Sequence, residues 1–172
     1  MGYRNNVETV PAVESDSSRR LADANINPAT GFATDYLNHF NEAIMLLEML
    51  SDRPDCLEDF LAWRPMSYRE HFAQSHFKGR DMAIAAYDAA DPALRDCLDA
   101  LAGTMTAVLE ATRAAMSAGM PTKAAGTLAD RTAFCLKPLV ARAGAVINGE
   151  ANADMRDGMA PQAMVDGLMK RK

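Results

Sequence analysis

Three histidines and a few carboxylates are the residues of this chain best suited to chemistry. His39 stands four residues after Asp35 and three before Glu42, so the three share one face of any helix that holds them. Glu70, His71, His76 and Asp81 follow on a second stretch of helical character. Imidazoles and carboxylates that point inward from facing helices are how helical bundles hold divalent transition metals. His39, Glu42, Glu70, His71 and His76 are therefore the candidate metal ligands, should the two faces meet. Their spacing weighs against them. His71 and His76 lie about 140° apart around a helix, not one turn apart as a chelating pair requires. The Glu-x-x-His repeat of di-iron bundles is absent, the order being reversed from His39 to Glu42.

A second concentration of unusual residues is the stretch 60–69, FLAWRPMSYR. It holds the only tryptophan, a tyrosine and two arginines around an Arg-Pro turn. Trp, Tyr and Arg anchor interfaces and small-ligand pockets, which makes Trp63, Arg64, Tyr68 and Arg69 the candidate ligand- or partner-binding residues. The structural alternative is that Trp63 and Tyr68 plug the end of a bundle while the arginines pair with nearby acids.

Other chemistry finds little support. No G-x-S-x-G, P-loop or dinucleotide glycine motif occurs. Ser75-His76-Phe77-Lys78-Gly79 departs from the phospho-accepting segment of histidine phosphotransfer domains, where two residues separate the histidine from Lys-Gly. Here one does, which turns the imidazole by about 100° on a helix. The segment 36–50 resembles the opening helix of DinB-like metal-binding bundles. No histidine follows His76 to supply that family's C-terminal pair, so no family is assigned.

The elements that must position these residues read as helices. Over 91–119, Leu94, Leu98, Leu101, Met105, Val108, Thr112 and Ala115/Met116 draw one stripe. Asp91 caps its start, Pro92 suits the first turn, and Gly119 suits the left-handed position after its end. A first helix runs from about 30 to 50, with Phe32, Tyr36, Phe40, Ala43, Leu47 and Leu50 inward. A short helix is predicted at 55–63. Ser67 and Glu70 form the capping box of a helix over 67–90 that Gly79 can interrupt. The last long helix, to about 149, contains Pro138, which should kink or split it. No strand alternation and no internal repeat is present.

Length and composition fit one domain. The chain has 172 residues, 49% hydrophobic and 24% charged, with few aromatics and many methionines. Its net charge of −5 is uneven: residues 31–119 carry fourteen acidic and seven basic side chains. Such a body does not suit a broad nucleic-acid surface. Cys56, Cys97 and Cys135 form no metal or redox motif and suit buried positions in a reducing cytoplasm. No signal peptide and no membrane span is expected.

The reading is an all-α protein: an antiparallel bundle of four main helices over 30–149. Residues 1–29 form a disordered or loosely docked N-terminal arm, and 150–172 a linker and short amphipathic tail. Its apolar girth suggests a homodimer. No catalytic constellation is specified. The function expected is a non-enzymatic, cytoplasmic module that binds a protein or small ligand, with a metal-binding bundle as the alternative.

Overall fold

A computed structural model describes residues 16–150. They form seven helices, with no strand among them: α1 (Asp16–Asp23), α2 (Tyr36–Met49), α3 (Cys56–Ala62), α4 (Tyr68–Gln74), α5 (Arg80–Ala89), α6 (Pro92–Ser117) and α7 (Thr122–Asn148). No helix in the described range is long and apolar enough to cross a membrane. The expected C-terminal linker and tail, and the first half of the N-terminal arm, lie outside the described residues.

α7 is the central element and packs along both α2 and α6. Contacts between α2 and α7 run in opposite chain order. The Thr30 hydroxyl donates to the Ile147 carbonyl, Lys137 pairs with Glu48, and Ser51 meets Asp130. The two helices are therefore antiparallel. They also lie close together: a Cβ on Gly126 would stand 3.0 Å from the Ser51 hydroxyl. α6 and α7 form a helical hairpin across the short turn 118–121, with Gly119 at φ +86°. Inside it the hydroxyls of Thr112 and Thr132 pair at 3.0 Å, and Thr112 also donates to the Val108 carbonyl, so neither buried polar group is stranded.

The stretch 67–90, read as one helix or as two interrupted at Gly79, forms two short helices, and the break runs from Ser75 to Gly79. The Ser75 hydroxyl donates to the Phe72 carbonyl and accepts from the Phe77 amide, giving the backbone a local turn in place of the helical ladder. Gly79 then precedes the first residue of α5. The capping box does form. Glu70 accepts from the Ser67 amide at 2.8 Å, while the Glu70 amide donates to the Ser67 hydroxyl at 3.3 Å. A seven-residue helix has little intrinsic stability, so Ser67→Ala is expected to cost about 1 kcal/mol, measured by urea unfolding. An unchanged midpoint would show that packing alone holds α4.

Pro138 does not split α7. The carbonyl it leaves without a donor belongs to Phe134, one turn earlier, and both residues face solvent, where water replaces the lost bond. Residues 16–29, assigned by sequence to the arm, contain α1 and bury Ile26. Gly31 explains why the following turn packs closely: it sits at φ +77°, and a Cβ there would meet the Ala86 carbonyl oxygen of α5 at 2.8 Å. The cysteines are free but not uniformly buried. Cys56 is buried, Cys97 half-buried, and Cys135 exposed on the solvent face of α7.

Candidate ligand cleft

His39 is the most buried of the candidate metal ligands, at 3% exposure on the inner side of α2. Its ring stacks on Trp63, with centroids 4.7 Å apart and planes 21° from parallel. The Trp63 indole N–H donates to the His39 carbonyl at 3.2 Å. The Met66 amide donates to His39 Nε2 at 3.1 Å. An Nε2 that accepts a backbone hydrogen bond carries no proton, which places the ring proton on Nδ1 and keeps the imidazole neutral. Burial, with a smaller contribution from nearby His71, lowers the His39 pKa to about 4.

His71, on α4, sits beside it with ring centroids 6.1 Å apart. Burial lowers its pKa too, opposed by the carboxylate and backbone of Asp35. His76 does not join them. α4 ends at Gln74, the helical phase is lost at Ser75, and His76 lies exposed in the turn before α5. Among the described residues no group of three or more His, Cys, Asp or Glu is placed to hold a metal ion. His39 Nε2 is already occupied by Met66, and the Glu70 carboxylate closes the Ser67 cap, whose amide and hydroxyl lower its pKa.

The arrangement instead makes a cleft of about 590 Å³ between α2, α3 and the start of α4. His39, Trp63, Pro65 and Met66 line it with Met45, Leu46 and Ala62. Glu42, Asp59, Glu70, Gln74 and Arg64 supply its polar groups. The side-chain carboxylates of Glu42 and Asp59 form no hydrogen bond or ion pair with described residues, whereas Arg64 is engaged: its Nη1 donates to the carbonyls of Leu61 and Trp63 at 2.7 and 2.8 Å. Arg113 from α6 reaches the same Trp63 carbonyl at 3.2 Å. Two guanidinium groups thus satisfy backbone oxygens at the end of α3, where the helix dipole favours cations.

The four aromatic and arginine candidates therefore separate. Trp63 and Arg64 line the cleft, whereas Tyr68 and Arg69 do not. Tyr68 is 1% exposed and belongs to a ring cluster with Phe32, Tyr36, Phe72 and Tyr87. Its hydroxyl accepts from the Ala33 amide at 2.9 Å, and burial raises its pKa. Arg69 reaches away to Asp88 of α5 at 2.5 Å. The sequence separates the two pairs by the Pro65–Ser67 turn, and α4 starts in a phase that points Tyr68 inward and Arg69 outward.

Sequence reasoning missed Met45 and Met66 as cleft residues. It weighs Asp59 with Glu58 as a carboxylate that could face a cleft but reads it as part of a solvated helix face; its spacing from Ala62 and Trp63, i, i+3, i+4, puts the three on one side. Met45 and Met66 carry no comparable signal. Compared with known proteins, the chain matches no family model, no curated protein and no solved structure.

Proposed function

We propose that this protein is a cytoplasmic, non-enzymatic binding module whose cleft receives a cationic group, borne on a small ligand or on a basic protein segment. One observation carries the reading: Glu42 and Asp59 stand without partners on the rim of a cleft floored by Trp63, His39 and Met66. Unpaired carboxylates attract an ammonium or guanidinium group. The apolar floor accepts the methylenes that carry such a group. Met45 and Met66 adapt to shape, which favours a ligand recognised by charge and bulk over one recognised by a fixed array of hydrogen bonds. His39 stays neutral at pH 7 and does not repel a cation.

Trp63 is the only tryptophan, so its emission reports the cleft directly. Titration with an alkylated arginine ester or a polyamine is expected to give a saturable change with a Kd of about 1 mM or tighter. The Glu42→Gln/Asp59→Asn double variant is expected to weaken it by about tenfold or more. The effect should shrink with salt, since both carboxylates are exposed. A flat titration, or equal affinity in the double variant, defeats the reading.

A further inference from the structure

Arg64 lines two recesses: the cleft, and a second of about 390 Å³ between the end of α3 and the C-terminal half of α6. Glu110, Arg113, Ala114 and Ser117 form the α6 wall of the second, spaced i, i+3, i+4 and i+7 on one face of the helix. Leu61 closes the α3 side.

The two arginines of this recess meet on one atom. Nη1 of Arg64 and Nη1 of Arg113 both donate to the Trp63 carbonyl, at 2.8 and 3.2 Å, so their guanidinium groups stand side by side. Like charges held this close repel each other. A helix C-terminus sets only about half an elementary negative charge against them. Glu110 stands 3.9 Å from Arg113 Nη2, beyond hydrogen-bond length, and its side chain is half-exposed. Among the described residues no carboxylate pairs with Arg64. The recess therefore holds an excess of positive charge.

It holds an excess of donors as well. Each guanidinium carries five N–H groups. Arg64 uses the two on Nη1, for the Leu61 and Trp63 carbonyls, and its Nε–Nη2 edge bonds no described residue. Arg113 uses one on Nη1, and its Nε and Nη2 hydrogen-bond to no described residue. Such an edge offers two parallel bonds to a carboxylate or phosphate. A free arginine side chain loses much of its freedom when it binds a ligand. Here the Trp63 carbonyl already fixes both, so less ordering remains to oppose binding.

We propose that Arg64 and Arg113 bind a phosphate group in this recess, free or as the phosphomonoester of a small ligand. Two guanidinium groups can bond three phosphate oxygens together, one more than a carboxylate offers, and a dianion matches both charges. Glu110 opposes the anion and limits its affinity.

Isothermal titration calorimetry on the full chain tests the proposal, with inorganic phosphate and phenyl phosphate as probes and chloride holding the ionic strength constant. Saturable binding with a Kd of about 1 mM or tighter is expected. Arg64→Gln and Arg113→Gln are each expected to weaken it by about tenfold or more. Glu110→Gln is expected to tighten it by about threefold, a gain that misfolding cannot imitate. Tighter binding of phenyl phosphate assigns the site to a phosphomonoester, and equal or weaker binding assigns it to free phosphate; both support the proposal. Absence of saturable binding overturns it. So does an affinity unchanged in both arginine variants, and so does acetate that binds as tightly as phosphate.

Discussion

Acidification from pH 7 to pH 4 is expected to remove about 3 kcal/mol of folding stability through His39 alone. The His39 pKa is about 4 in the folded protein, lowered by burial and by His71 from 6.5 in an exposed chain. Between those values the unfolded chain binds more protons than the folded one, so stability rises with pH across the window. The contribution is therefore fully present above about pH 6.5 and disappears as pH falls towards 4. His71, shifted in the same direction, adds to it with the same sign. Urea unfolding of the wild type and of His39→Gln at several pH values separates this effect from the ordinary acid loss due to carboxylates. The wild type is expected to lose stability more steeply between pH 6.5 and 4, and parallel profiles would exclude His39 as the cause. A second readout needs no unfolding. A protonated imidazole stacked on an indole quenches its emission, and the His39 and Trp63 rings are 4.7 Å apart. Native Trp63 fluorescence is expected to fall with a midpoint near pH 4, and a midpoint near 6.5 would show a solvated ring. Protonation of Nε2 would also remove the hydrogen bond that the Met66 amide donates to it, which links acid to the cleft, because Met66 lines it.

The long helices were legible because large apolar side chains mark them. Every residue expected inward on the first helix is buried, Phe32, Tyr36, Phe40, Ala43, Leu47 and Leu50, although α2 begins only at Tyr36 and Phe32 lies in the segment before it. In α6 the expected stripe and the buried face share Leu94, Leu98, Met105, Thr112 and Met116 but part at two places. There Ala102 and Leu109 are buried, while Leu101 and Val108 are only half-buried. A strict four–three alternation describes a narrow seam, whereas a helix packed on several neighbours buries a wider face. α7 was the least legible of the three. Its buried face uses Ala125, Gly126, Ala129 and Ala133, small residues that carry little hydropathy signal but let α2 approach closely. Cys135 was given to the core as a small hydrophobe and instead lies on the outer face beside Phe134.

The cleft was half legible. Residue types pointed to Trp63 and Arg64, and helical spacing placed His39 and Glu42 on one helix. The joining of those two groups was not written in either pattern. It depends on the turn 63–67, which carries the Met66 amide to His39 and the Trp63 indole to the carbonyl of the same residue. Contacts between residues 24 and 27 positions apart leave no periodic trace in a single sequence. The same turn explains why His76 strays. A continuous helix from 67 to 90 would have kept His71 and His76 in fixed phase. The Ser75 turn breaks that phase with bonds whose donor and acceptor are a common hydroxyl and ordinary backbone groups.

Tyr68→Ala is expected to cost about 3–5 kcal/mol, among the largest single-residue losses available to this chain. α4 and α5 are too short to hold themselves, so their place depends on what they pack against. Tyr68 is the hub of that packing. Its ring lies 4.6 Å from Tyr87 in a near-parallel stack, 4.7 Å from Phe72 and 5.1 Å from Tyr36. Such pairs add about 0.5–1.5 kcal/mol beyond simple burial. Tyr87 in turn fastens α5 to α6, its hydroxyl donating to the Asp99 carboxylate, so the cluster links both short helices to a long one. The hydroxyl of Tyr68 has a separate role. It is the acceptor for the Ala33 amide, and Ala33 is fully buried. Tyr68→Phe keeps the ring and strands that donor, at about 1–3 kcal/mol. The two variants thus divide ring from hydroxyl, and both differ from what a ligand contact would give. A residue whose role is to touch ligand changes affinity and leaves stability alone. Tyr68→Phe is expected to lower the urea midpoint while the Trp63 titration keeps its affinity. Hydrogen exchange supplies the spatial test: protection should fall across α4 and α5 and persist in the α6–α7 hairpin, since Tyr68 and Tyr87 stand on the two short helices. Equal loss in the hairpin would mean that the short helices and the long ones unfold as a single unit, with Tyr68 holding the whole.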